Sequence, residues 1–260
     1  MDYLLNLKNN DVPVIATAIH DGHQLSEEAL KLMALSSEDR LREEDPFTGA
    51  WTGVVENSLI VKTSRFEVDL NRARDKAVYL TPDDAWGLNV WESKPGEKFV
   101  RSSLQTYDLF YKNIHDVLSE FESKFGKFVV FDVHSYNHRR NGPDAQPAAG
   151  KDNPEVNIGT GTMLDRSRWK GVINNFIDDL SSFNYFGRKL DVRENIKFRG
   201  GHFPEFVHEK FPDAACVLSI EFKKIFMNEW TGEPDKEKIQ TIFQALQSAV
   251  PGVLEELNKI

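Results

Sequence analysis

Two apolar runs that each break off at a histidine constrain this chain more than any other feature. Val130-Phe131-Asp132-Val133-His134-Ser135-Tyr136 reads as a buried strand, and polar, turn-forming residues follow it at once. Val12-Pro13-Val14-Ile15-Ala16-Thr17-Ala18-Ile19 ends the same way, in His20-Asp21-Gly22-His23. Strands this apolar belong in a parallel sheet covered on both faces. Ligands of open α/β sheets bind outside the carboxyl ends of the strands. Two strands that end in histidine therefore predict one metal site at that edge.

The rest of the pattern agrees with such a sheet. Short runs rich in Val, Ile and Phe predict strands over 12–19, 58–62, 66–69, 127–133, 188–192 and 215–222. Helices are expected over 26–36, 101–125, 167–182 and 235–257. In 101–125, apolar residues recur every three or four positions from Leu104 to Phe121 and form one stripe. Ser26, followed by Glu27 and Glu28, is a suitable cap for the first helix. Strands alternating with helices predict an α/β fold with a mixed, mainly parallel sheet between two helical layers. The segment 137–161 is polar, rich in turn residues and too long for a minimal connection, so it is expected to wall or cover the site. The segment 38–57 reads as an excursion from the sheet. No shift in composition marks a boundary, and 1–260 is expected to be one domain.

Composition narrows the partners. The net charge is −9 with no basic block, which argues against nucleic acid, where Lys and Arg must neutralise phosphates. No apolar run approaches the roughly 20 residues of a membrane-spanning helix. The segment Met1–Leu7 lacks the positive start of a secretory signal. The one cysteine, Cys216, lies in an apolar run and is expected in the core. It cannot form an internal disulfide, so a cytoplasmic protein is expected. An anionic small molecule is still compatible with an acidic chain.

Four groups of residues carry candidate chemistry. His20 and His23 flank Gly22, a residue that permits a tight turn able to aim both imidazoles at one point; a plain polar turn is the alternative. Asp132-Val133-His134 adds a third histidine, with Asp132 two residues away on the same strand face, placed to orient an imidazole. Asn71-Arg72, closing the segment Glu67–Arg72, offers an amide and a guanidinium fork that suits a carboxylate. Glu221 interrupts the apolar run Leu218–Phe222, and glutamate is almost never buried without a partner. Beside a metal it would act as a general base.

The order of these groups, His-x-x-(ligand), Asp-x-Asn-Arg, His-Ser-Tyr and then a strand-borne Glu, resembles the zinc carboxypeptidase superfamily. Arg199-Gly200-Gly201-His202-Phe203, Glu43-Glu44-Asp45-Pro46-Phe47-Thr48 and the chain length resemble its N-formylglutamate amidohydrolase branch. The resemblance implies a three-layer α/β/α, carboxypeptidase-like (phosphorylase/hydrolase-like) fold and one Zn²⁺ per chain. It implies His20 and His134 as metal ligands. His23 stands where the superfamily has a glutamate, with Asp45 (or Glu43 or Glu44) as the alternative second ligand. It implies Asn71 and Arg72 as the grip on a substrate carboxylate, with Glu221 as the catalytic base and Arg72 as the second catalytic residue. Arg199, His202 and Tyr136 are further candidates for the substrate pocket. The implied activity is hydrolysis of N-formylglutamate to formate and glutamate. A carboxypeptidase, another N-acyl amino-acid deacylase, or a non-catalytic homologue that binds metal or ligand are the alternatives.

Overall fold

The computed structural model describes residues 2–7 and 12–260; Met1 of the N-terminal segment lies outside them. Seven strands form one sheet: β1 (Tyr3–Asn6), β2 (Val14–Ala18), β3 (Asn57–Val61), β4 (Phe128–Tyr136), β5 (Val156–Gly159), β6 (Val192–Glu194) and β7 (Ala215–Lys223). Their order across the sheet is β1-β3-β2-β4-β7-β5-β6. The central four, β3, β2, β4 and β7, run parallel. β1 joins β3 antiparallel, and β5, parallel to β6, joins β7 antiparallel. The chain leaves β2 toward β3 on one side and later fills β4 on the other. The crevice at a sheet's carboxyl edge opens at such a reversal.

Helices cover both faces, so the fold is the expected mixed α/β sheet between helical layers. Along β4, Val129, Phe131 and Val133 pack on one side with α5 (Lys170–Ser182) and α7 (Lys236–Leu257). Phe128 and Val130 pack on the other with α4 (Glu97–Phe125) and α6 (His202–Lys210). This alternation is the pleat of a strand buried on both sides. Burying a residue such as Phe131, with no exposed surface, contributes about 1.5–3 kcal/mol. Cys216 is fully buried in the first of these cores.

Several elements differ from expectation. The apolar segment 66–69 is a turn, not a strand. Phe66 packs with Tyr79 in a small separate cluster, while Val68 and Leu70 pack toward α4. Opposite burial alone mimics a strand; here a single backbone bond, from the Asp69 amide to the Ala77 carbonyl, replaces a ladder. The segment 188–192 joins the sheet only from Val192 onward, Arg188 making an isolated bridge to Tyr185. The helix expected over 26–36 stops at Leu32 as α1 (Glu27–Leu32), and Ser36 starts α2 (Ser37–Glu43) by accepting from the amide of Asp39. Ser26 caps α1 as expected, accepting from the Ala29 amide at 3.2 Å. The excursion at 38–57 contains α2 and α3 (Thr48–Trp51) and returns the chain to β3.

Candidate active site

Three side chains from three elements meet beside the reversal point. His20 follows the end of β2, His134 lies near the end of β4, and Asp45 sits on the turn between α2 and α3. One ligand atom from each lies within 4.8 Å of the others, and all three residues are buried. Asp45 Oδ2 is 2.9 Å from His134 Nδ1 and 3.5 Å from His20 Nδ1. The Asp45 backbone amide donates to the carbonyl of His20 at 2.9 Å, which fastens the turn to the strand end.

Each histidine turns its other nitrogen to a carboxylate. His20 Nε2 donates to Asp69 Oδ1 at 2.8 Å, and His134 Nε2 lies 3.1 Å from Asp132 Oδ2. Asp69 is itself anchored by Arg65 at 2.7 Å, by the Tyr79 hydroxyl and by the amide of Asn71. Burial would raise the Asp69 carboxyl, but Arg65, His20 and Tyr79 hold it well below the usual carboxylate range. Burial likewise opposes the ionised Asp45, and hydrogen bonds and charge from His134 and His20 more than offset it. His20 is hydrogen-bonded from behind, while His134 Nε2 and Asp132 Oδ2 face each other without a hydrogen bond; two imidazoles with both Nδ1 atoms turned to a shared carboxylate are a donor set that fits zinc and leaves a coordination position open.

Glu221 stands across from His134, its partner in the β4–β7 register. Burial pushes its carboxyl up to about 8, aided by Asp45 and Asp132 and opposed by His134. His20, Asp45, His134 and Glu221 line a cavity of about 200 Å³. Its remaining wall includes Glu43, Arg65, Asn71, Trp86, Arg140 and Lys224. Arg140 comes from the long segment after β4, so that segment does wall the cavity; it holds Glu43 with both guanidinium nitrogens, at 3.2 and 3.0 Å.

His23 is not brought to the group. Its Nδ1 is 2.6 Å from Glu44 and its Nε2 is 2.9 Å from Ser37, so both nitrogens are engaged on the far side of the turn. Gly22 is required for close approach, not for aiming His23: a Cβ there would lie 2.3 Å from the Lys62 carbonyl carbon. Of the three acidic candidates, Asp45 joins the histidines, Glu44 faces His23 and Ser64, and Glu43 faces Arg140.

The substrate-binding candidates divide. Asn71 lines the cavity, and its Oδ1 also accepts from the Phe203 amide at 3.0 Å at the start of α6. Arg72 is set back: its guanidinium lies 4.9 Å from the Tyr79 ring and 5.8 Å from the ring of Trp86. Tyr136 lines the cavity with its hydroxyl donated to the Pro154 carbonyl. Gly200 and Gly201 reach the wall, whereas Arg199 packs over Gly161, and His202 lies near Tyr107 and Tyr111. Sequence reasoning missed Arg65, Arg140 and Lys224. Nothing local marks them, since arginine and lysine in polar segments ordinarily face solvent.

Comparison with known proteins gives a family and a fold. The family model described as N-formylglutamate amidohydrolase matches residues 12–227. A crystal structure of N-formylglutamate amidohydrolase from Ralstonia eutropha superposes with a TM-score of 0.78 at 16% identity, covering 99% of this chain and 98% of that one. The gene product Atu2144 of Agrobacterium tumefaciens superposes with a TM-score of 0.64, also at 16% identity, covering 95% of this chain and 92% of that one. At that identity the two structures speak for the fold. No curated protein matches the chain at a significant level.

Proposed function

The chain belongs to the N-formylglutamate amidohydrolase family, and from that premise we propose that it is a zinc-dependent hydrolase acting as one domain on N-formylglutamate. The products are formate and glutamate. The observation that carries the reading is the buried His20–Asp45–His134 group with Glu221 facing it across paired strands. His20, Asp45 and His134 would hold the ion. Zinc in such a site polarises a carbonyl and makes water a nucleophile near neutral pH.

The chain's own residues do the rest. Asp69 and Asp132 keep the two imidazoles turned inward, as carboxylates behind metal-binding histidines do. Glu221 takes a proton from the attacking water and returns it to the departing amine. A group that both accepts and donates works best with a pKa near the working pH, and burial raises the Glu221 carboxyl above its ordinary value in the metal-free chain. Arg65, Arg140 and Asn71 offer donors on the cavity wall to the substrate's carboxylates. Arg72 backs Trp86, one of the walls. Among the described residues no helix is long and apolar enough to cross a membrane, which fits a small, charged substrate taken from water.

The test is acid release from formyl-, acetyl- and peptidyl-glutamate by protein stripped of metal and then reloaded with zinc. The reading expects zinc-dependent turnover that is fastest on the formyl compound. Absence of release from all three by zinc-loaded protein would overturn it.

A further inference from the structure

Lys224 is the one buried lysine on the cavity wall, 2% exposed and one residue past the end of β7. Its ammonium donates to the carbonyls of Arg42 at 2.5 Å and Glu44 at 2.7 Å. Those two carbonyls belong to the end of α2 and the residue just before Asp45. The backbone amide of Lys224 donates to the Tyr136 carbonyl at 3.0 Å, which roots the lysine between the ends of β4 and β7. Among the described residues, no carboxylate lies within ion-pair distance of it, whereas Arg65 has Asp69 and Arg140 has Glu43. A buried ammonium with only neutral acceptors is costly, and burial pushes this one down to about 8. What it gains for that cost is a fixed turn.

We propose that Lys224 is a positioning residue: it ties the turn bearing Asp45 to the strand bearing Glu221, and so holds Asp45 against His20 and His134. The tie rests on the reading of Asp45 as a metal ligand. His134 lies within β4 and His20 two residues past the end of β2, whereas Asp45 sits on the connection between α2 and α3, away from any strand. Without the ammonium, the carbonyls of Arg42 and Glu44 lose this donor, and the turn is left with the bond from Asp45 to His20 and the bonds of Glu43 to Arg140 and of Glu44 to His23 and Ser64. His20 keeps its bond to Asp69, and His134 stays fixed within β4 beside Asp132. The loss therefore falls on how well the third ligand is placed.

The experiment is zinc affinity by competition with a chromophoric chelator, for wild type, Lys224→Met and Lys224→Gln, with melting of each metal-free protein alongside. Methionine fills similar space without charge, and glutamine keeps N–H donors. Zinc binding is expected to weaken roughly 10- to 100-fold in the methionine variant, the range seen when residues behind metal ligands are lost, and by less in the glutamine variant. Metal-free melting separates any loss of fold stability, from two carbonyls left without a donor, from the loss in zinc affinity. Should the methionine variant fail to fold, the glutamine variant decides. Zinc affinity within twofold of wild type in a folded variant overturns the tie. Wild-type protein that takes up no zinc overturns the metal assignment and the tie together. Zinc uptake with no amide hydrolysis overturns the proposed reaction alone.

Discussion

Replacing Glu221 by Gln in metal-free protein is expected to stabilise the fold, by an amount that depends on pH. Burial raises the Glu221 carboxyl from its ordinary 4.5 to about 8. Below pH 4.5 the side chain is neutral in both folded and unfolded chains, and the variant gains nothing. Between 4.5 and 8 the unfolded chain loses this proton while the folded chain retains it, so wild-type stability falls as pH rises. Above 8 both forms are ionised and the loss is complete. At about 1.36 kcal/mol per pH unit, that interval is worth at most about 5 kcal/mol. Glu221 borders an open cavity, and water reaching it screens part of this, leaving about 2–4 kcal/mol. The assay is urea unfolding of both proteins in chelator from pH 5 to 9, with the difference in stability plotted against pH. Groups common to both, such as Asp45 and Lys224, largely cancel in that difference. The difference should climb through this range and level off above 8. A flat difference would show that Glu221 is not held neutral by its surroundings, and the argument for a tuned base would fall.

The other expectations concern zinc and substrate. Glu221→Gln should keep its zinc while turnover on N-formylglutamate drops about 10²- to 10⁴-fold, the usual worth of a general acid–base; activity near wild type would remove Glu221 from the mechanism. Asp69→Asn should weaken zinc binding roughly 10- to 100-fold, read by chelator competition, because His20 Nε2 loses its anionic partner; unchanged affinity would show that His20 is oriented by packing alone. His23→Ala should leave zinc stoichiometry at that of wild type, since both His23 nitrogens are engaged away from the group; loss of the metal would restore His23 as a ligand. Arg140→Ala should raise KM for N-formylglutamate more than for N-formylglutamine, which lacks the side-chain carboxylate, and an equal rise for both would exclude Arg140 from recognition of the side-chain carboxylate.

What could be read from the sequence follows a physical divide. β2, β4 and β7 were legible because strands buried on both faces must be apolar almost throughout, and a polar residue at their ends stands out. His20, His134 and Glu221 were visible for that reason. α4, α5 and α7 were legible from their apolar stripes. β1 was not: three of its four residues are exposed and it pairs along one side only. β5 is four residues long inside a polar segment. α6 starts after Gly200-Gly201, where the turn hides the helical pattern. Asp45 was legible only as an alternative to His23. Spacing of three from His20 favoured His23, but the close packing of Gly22 against Lys62 sends the chain away from the group. Asp45 arrives from a separate turn held by tertiary bonds, among them that of Lys224. Bonds between residues 180 positions apart leave no local trace.

The most direct measurement is anomalous scattering at the zinc edge from crystals grown with zinc. The account predicts one strong peak within bonding distance of His20 Nδ1, Asp45 and His134 Nδ1, opposite Glu221. Full occupancy at His23 and Glu44, or no ordered ion between the two inward histidines, would contradict it.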